Sequence, residues 1–395
     1  MNGGKGEGLI WLLDNTDIGY KVPEFDIIDT SYYLDFLQGN TGSLQRLCNE
    51  LALKYKGRNV AVRSSAVLSE DNEQFSGAGI YDTFFVDNLT PELLEEKVKQ
   101  VYVSVNSSVA VTYRSSAGLG EEQMAVVVQE RCNSIFNGVM QSRLHSLKGI
   151  VPVSWSRDIG EVVSGGEDVL HAFFRGEGSD PEDYKVVFHS EDITGYDTEE
   201  VRDVLIPIIY QLRERYGKEF EAEFCCDLDE YDNEVHMLQI RPLTNVVDKK
   251  VTFPDKKPIY STEYKGFCMG VGEYIGPWVT RKMIIDDCNK PDHYVYIAQK
   301  FDQSREKRMP WKYTNYDLLT PNKKAMIITH NLHAGSHAMT LAQEQGILCL
   351  GKLEESEVPD FIPKSEYIHV VCDGFSGRVY EATKDEVELF ASNIK

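Results

Sequence analysis

From Lys218 to Pro242 the chain alternates in a way that leaves few structures open to it. Glu219, Glu221 and Glu223 fall on one face of a strand and Phe220, Ala222 and Phe224 on the other, because successive strand side chains point to opposite sides. A turn rich in Asp and Asn follows, from Asp227 to Asn233. Then His236-Met237-Leu238-Gln239-Ile240-Arg241-Pro242 puts Gln239 and Arg241 on a shared face, with Pro242 ending the strand. The result is an antiparallel hairpin that offers carboxylates from one arm and an amide with a guanidinium from the other.

Two readings of that face stay open. Three glutamates in alternation suit a solvated sheet surface. Glu223, Gln239 and Arg241 on adjacent strands also suit a metal–phosphate pole, since magnesium prefers oxygen ligands and keeps part of its shell for substrate phosphates.

Further signals are spread along the chain. Leu44 to Tyr55 reads as a helix, and Asn59 to Val62 as a short buried strand running into Arg63-Ser64-Ser65-Ala66. Pro91 to Val105 reads as a second helix, with Thr90 as its cap and Pro91 at the first helical position. Met124 to Gln129 is a continuous β-branched strand. Arg63 would emerge at a strand end, where a guanidinium can bind phosphate oxygens, and Gly77 and Gly79 would let backbone amides close over a triphosphate. The alternative is a structural salt bridge and a plain turn. Gly3-Gly4-Lys5-Gly6 suits phosphate approach, but it lacks P-loop spacing, and a disordered terminus explains it as well.

The Lys/Pro-rich stretch from Asp248 to Lys257 reads as a linker. After it come Tyr260, Tyr264, Phe267, Tyr274, Trp278, Tyr294, Tyr296, Trp311, Tyr313 and Tyr316, too many aromatics for a flexible tether. A packed insertion or an acceptor-binding surface is expected there. The last 75 residues read as a βαβ-like unit: a strand at Ala325–Thr329, a helix from Ser336 stopped by Gly346, a strand at Ile347–Leu350, and a pair, Tyr367–Cys372 with Arg378–Tyr380, around Asp373-Gly374. Ser336 as N-cap places His337 in a first helical turn, where free amides and the helix dipole stabilise an anion on its ring. A neutral imidazole is a competent nucleophile, but an inert capped histidine fits the pattern equally. A metal cluster of His330, His333 and His337 fits less well, because Gly335 interrupts the helix that an i, i+4 pair needs.

Composition bounds the function. At 395 residues two or three domains are expected. A net charge of -22, from 41 basic and 63 acidic residues, argues against nucleic acid and anionic membranes as partners through bulk electrostatics. Met1 to Glu7 has no signal-peptide pattern and no apolar run reaches membrane-spanning length, so a cytoplasmic location is expected. The eight cysteines are scattered without a Cys-x-x-Cys pair, which favours free thiols over disulfides or cysteine zinc sites.

These pieces occur together and in order. Gly3-Gly4-Lys5-Gly6, Val62-Arg63-Ser64-Ser65-Ala66, Tyr81-Asp82-Thr83, Val126-Val127-Val128-Gln129, the run Ile159 to Gly165, and Leu238-Gln239-Ile240-Arg241-Pro242 resemble the ATP-grasp landmarks of the phosphoenolpyruvate synthase, pyruvate phosphate dikinase and rifampin phosphotransferase superfamily. Ser336-His337-Ala338, Gln343 to Ile347, Gly351 and Asp373-Gly374 to Val379 resemble its swivelling phosphohistidine domain. The resemblance covers roughly 1–244 and 325–383. It implies an α/β (α+β) chain with an ATP-grasp head at 1–247, a linker and aromatic middle segment at 248–320, and a carrier domain at 321–395.

By the same resemblance, Lys5, Arg63 and Thr83 contact the ATP phosphates, Gly79 lies in the covering loop and Gln129 at the adenine hinge. Glu223 and Gln239 hold Mg2+, Arg241 binds phosphate, and His337 carries the phosphoryl group. The catalytic set is then His337, Arg63 and Arg241. The implied activity is an AMP-forming, ATP-dependent phosphotransferase acting on a small-molecule acceptor. The chain departs from the family after the carrier, where the synthase and dikinase have a pyruvate-binding barrel, and at Asn331-Leu332-His333-Ala334, where the family usually has a Gly-Gly pair. An acceptor other than pyruvate is therefore expected. A relay whose acceptor site lies on a partner protein or in a homodimer, and a direct ADP-forming kinase or ligase, are the alternatives.

Overall fold

The computed structural model describes residues 1–132, 134, 136–144, 149–157, 162, 169–178, 180–189, 198–227, 234–244, 246, 250–262, 266–280, 293–300, 323–330, 340, 342, 344–352 and 363–393. Contacts divide the chain into two units, Met1–Met140 with Pro207–Thr244, and Gln141–Ile206 with Asn245–Lys395. These limits differ from the three segments that the sequence suggests.

In chain order the elements are α1 (Gly3–Asp14), β1 (Phe25–Ile28), α2 (Thr30–Leu37), α3 (Gly42–Lys54), β2 (Val60–Ala66), β3 (Thr83–Val86), α4 (Pro91–Ser104), α5 (Ser108–Ser116), β4 (Met124–Glu130) and β5 (Phe136–Gln141). They continue with β6 (Ile150–Ser156), β7 (Leu170–Arg175), β8 (Lys185–His189), α6 (Thr198–Tyr216), β9 (Phe220–Asp227) and β10 (Glu234–Pro242). The remainder is β11 (Tyr260–Ser261), β12 (Gly266–Met269), β13 (Val271–Thr280), β14 (Tyr294–Lys300), β15 (Lys323–His330), β16 (Leu348–Lys352), β17 (Tyr367–Asp373), β18 (Gly377–Ala382) and α7 (Lys384–Asn393). The chain is mixed α/β, as expected.

The first unit holds an antiparallel sheet of order β1-β4-β2-β3. β2 and the first six residues of β4 are buried, which accounts for their mostly apolar and small residues, with Arg63 and Gln129 as the polar exceptions. Arg63 lies in the middle of β2 rather than at its end, because the strand continues to Ala66. Thr90 caps α4 as expected, its hydroxyl accepting from the Leu93 amide at 3.2 Å. The hairpin read from the alternation is β9–β10, with Glu223 opposite Gln239 and Glu221 opposite Arg241.

α1 corrects the reading of the glycine-rich start as a disordered terminus. It packs against β10 and β2. A Cβ on Gly3 would run into the Ser65 carbonyl, on Gly4 into that of Glu70, and on Gly8 into that of Ile240. The glycines serve close approach of helix to strand, and Gly3 also takes a left-handed φ of +69°.

In the second unit β6, β7 and β8 run antiparallel in that order. A separate eight-stranded sheet has the order β11-β18-β17-β13-β14-β15-β16-β12. β13, β14, β15 and β16 pair in parallel, and the other pairs are antiparallel. The aromatic stretch expected as a middle segment thus supplies β11 to β14 of the sheet that 323–382 completes. Burial of Tyr260, Tyr294 and Tyr296 explains its aromatic content. The pairing of β17 with β18 follows the sequence reading. Among the described residues no helix is long and apolar enough to cross a membrane, and the cysteines are free.

Candidate functional site

Six of the expected ATP-site residues converge in the first unit, drawn from α1, β2, β4, β9 and β10. Arg63 is at the centre. Its Nη1 donates to Gln129 Oε1 at 3.0 Å and to the Leu238 carbonyl at 3.1 Å. Its Nη2 donates to Glu223 Oε2 at 2.6 Å and to Gln239 Oε1. The Leu238 carbonyl is available because the β9–β10 register shifts between Met237 and Gln239, a bulge that frees it from the ladder. Gln129 Nε2 donates to the same carbonyl at 3.2 Å.

A second group surrounds Asp71. Lys5 pairs with Glu70 and lies 3.9 Å from Asp71 Oδ2. Arg241 pairs with Glu221, its Nε donating at 3.0 Å, and its Nη1 stands 3.5 Å from Asp71 Oδ1. Gln239 Nε2 donates to Asp71 Oδ2 at 2.6 Å, joining the two groups. Burial pushes the Asp71 carboxyl up to about 6, against the pull of Lys5 and Arg241. Burial works against the charge of Arg241, but Glu221, Asp71 and Glu223 outweigh it and hold its pKa raised. Each cation here has its own carboxylate partner: Lys5 has Glu70, Arg63 has Glu223 and Arg241 has Glu221. A buried ion pair lacking either member leaves an uncompensated charge, so the residues stand or fall as pairs.

The loop between β2 and β3 is held from outside this network. Glu122 accepts from the amides of Val67, Leu68 and Ser69 at 2.9–3.0 Å and from the Ser69 hydroxyl at 2.5 Å. Tyr81 bonds to Ser69 at 2.6 Å and accepts from Arg114 at 3.1 Å. Glu70 is fixed by Ser64 Oγ at 3.0 Å and the Ala66 amide at 2.9 Å. Gly77 takes a φ of +57°, and a Cβ there would strike the Ser69 carbonyl.

Thr83 sits opposite Arg63 in the β2–β3 ladder and is exposed, and Gly79 lies in the connecting loop with a φ of +66°. His337, with His333 and Ser336, lies outside the described residues. The solvated-face reading of the hairpin does not hold for Glu221, which is 4% exposed. The sequence reading assigned no role to Glu122, Glu70 or Asp71. Their partners lie far away in the chain, 168 residues for Asp71 with Gln239, and no local pattern marks them.

For the Mg2+ expected at Glu223 and Gln239, the donor chemistry fits. Two side-chain oxygens, one carboxylate and one amide, converge on a single cationic nitrogen of Arg63.

Comparison with known proteins bears on the same region. Residues 41–169 match the family model "Pyruvate phosphate dikinase, AMP/ATP-binding domain". The chain is 27% identical over 306 residues to the "Uncharacterized phosphotransferase YvkC" of Bacillus subtilis (strain 168), a match covering 67% of this chain and 36% of that protein. The chain therefore spans about a third of that relative's length. Among solved structures, the dinucleotide-forming acetyl-coenzyme A synthetase 1 of Ca. Korarchaeum cryptofilum has a TM-score of 0.34 at 9% identity, over 60% of this chain and 90% of that one. D-alanine–D-alanine ligase from Bacillus anthracis has a TM-score of 0.28 at 9% identity, over 62% and 59%. TM-scores this low carry no argument about fold or activity. The match and the motif order agree: residues 41–169 are similar to the AMP/ATP-binding domain of pyruvate phosphate dikinase.

Proposed function

We propose that the chain is an ATP-dependent phosphotransferase of dikinase type, with ATP bound in the first unit and His337 as phosphoryl carrier. The observation that carries this reading is the convergence of Lys5, Arg63 and Arg241 beside Glu223 and Gln239, within a chain whose residues 41–169 match an AMP/ATP-binding domain. Three cations held by carboxylates are pre-oriented for a polyphosphate, which replaces those carboxylates as anionic partner. Mg2+ held by Glu223 and Gln239 would neutralise charge on the phosphates.

In the first step a ring nitrogen of His337 attacks the β-phosphorus of ATP. The bond from that phosphorus to the α–β bridging oxygen breaks, and AMP leaves with the electron pair. The terminal phosphoryl group passes to water or phosphate. The phosphoryl group left on His337 then moves to a nucleophilic atom of a small-molecule acceptor, restoring the neutral imidazole. Lys5, Arg63 and Arg241 carry the phosphate charge throughout, and Gln129, fixed by Arg63 and Leu238, lines the nucleotide end.

Incubation of the protein with magnesium and ATP, with nucleotides separated by ion-exchange chromatography, tests the reading. AMP is the expected product. ADP as sole product would support a direct ADP-forming kinase or ligase instead.

A further inference from the structure

We infer that Asp71 is a positioning residue for the metal-binding face of this site: its carboxylate orients the Gln239 amide so that the amide oxygen turns towards Glu223. The inference rests on the proposed reading of Glu223 and Gln239 as magnesium ligands.

The two ends of a glutamine amide have nearly the same shape, so its partners decide which end points where. An ionised carboxylate can only accept hydrogen bonds. Asp71 Oδ2 therefore takes the NH2 end of Gln239, at 2.6 Å. The carbonyl end must then face the other way, and it meets the same Arg63 nitrogen that Glu223 Oε2 meets at 2.6 Å. Arg63, which can only donate, favours the same orientation, but on the proposed reading a bound polyphosphate draws that guanidinium away, and Asp71 is then the contact in this set that still tells the two ends apart.

Asp71 is itself held from several sides. Its side chain is 1% exposed, and its second oxygen faces Arg241 at 3.5 Å. Its backbone takes the left-handed region at φ +52°, where few side-chain-bearing residues sit, and its amide donates to the Ser76 carbonyl at 3.1 Å. The preceding loop is clamped by Glu122 through three successive amides. A single buried carboxylate thus reaches Gln239, Arg241 and Lys5 at once.

Asp71→Asn is the informative change, because Asn tolerates a positive φ and keeps the shape. Its oxygen is drawn to Arg241 on the Oδ1 side, which leaves its NH2 group on the Oδ2 side facing Gln239. Gln239 must then turn its own oxygen towards residue 71 and away from Glu223. Asp71→Gly is the second variant, since the left-handed backbone accepts glycine without strain and the acceptor is removed outright.

The test is binding of Mn2+, as a paramagnetic probe for magnesium, to the full chain with ATP, read from the free-ion EPR signal, alongside ATP binding in EDTA. In both variants the Mn2+ affinity is expected to fall by about tenfold or more, as for loss of a group that orients a metal ligand, with metal-free ATP binding changed less than about threefold. Raising Mn2+ is expected to restore saturation, which a misfolded site does not permit. Mn2+ affinity within about twofold of the unaltered protein in both variants overturns the positioning role. So does parallel loss of ATP binding and of melting temperature in both. Failure of the unaltered protein to bind ATP at all overturns the nucleotide-site reading itself, and with it this assignment.

Discussion

The Arg63 guanidinium donates to the Glu223 carboxylate at 2.6 Å across 160 residues of chain, and the same nitrogen meets Gln239. Both side chains are mostly buried, at 11% and 16% exposure. Removing either leaves the other charge without its partner. Arg63→Ala is expected to cost on the order of 3 kcal/mol in urea unfolding followed by circular dichroism. Arg63→Ala with Glu223→Ala should cost less than the sum of the single changes by about 1 kcal/mol or more. Additive costs would mean that the pair makes no net interaction.

Glu122 makes a different kind of contribution. It fills a nest of amides at Val67, Leu68 and Ser69, so Glu122→Ala removes the acceptor of the buried Ser69 amide and hydroxyl and loosens the two amides before it. A loss of about 3 kcal/mol or more is expected, with Glu122→Gln intermediate because its amide keeps one acceptor oxygen. Equal stability of Glu122→Ala and the unaltered protein would show that the loop does not depend on this carboxylate.

The close approach of α1 to β10 predicts a reversal of ordinary helix propensity. Alanine in place of a helical glycine normally gains about 1 kcal/mol. At Gly8 the added Cβ meets the Ile240 carbonyl, and a net loss of about 1–3 kcal/mol is expected. Gly120→Ala, where nothing lies within 4 Å, should leave stability unchanged. Thermal melts of the two variants side by side decide the point.

The hairpin was legible because side-chain direction in a strand has a period of two, so Glu221 with Arg241 and Glu223 with Gln239 could be placed on one face from the sequence. The bulge at Leu238 was not, since an inserted residue leaves no mark on composition. α1 was hidden for the opposite reason. Its glycines argue against a helix locally, and only packing against the Ser65, Glu70 and Ile240 backbone explains them. The contacts of Asp71 with Gln239 and Arg241 are non-local, so no local pattern marks them. The expected middle segment looked separate because its strands are aromatic and follow a linker-like stretch. Their pairing with β15, β17 and β18 is a matter of topology, which periodicity does not report.

A pH dependence follows from His369. Burial lowers its pKa below the ordinary value, against the opposing pull of Glu273, to which its Nε2 is bonded at 2.9 Å. The folded protein then takes up this proton less readily than the unfolded chain. The contribution is present in full above about pH 6.5 and is lost as the pH falls below it. His369→Gln is expected to flatten the fall in melting temperature between about pH 7.5 and 5.5. An unchanged slope would exclude His369 as its source.

In the proposed mechanism a phosphoryl group from ATP resides on His337 before it reaches an acceptor. Phosphorus NMR of the protein with magnesium and ATP tests it most directly. AMP together with an acid-labile phosphohistidine signal is expected, with loss of both in His337→Ala and ATP binding kept. A His337→Ala protein that turns ATP over at the full rate, with ADP as its only nucleotide product, would contradict it.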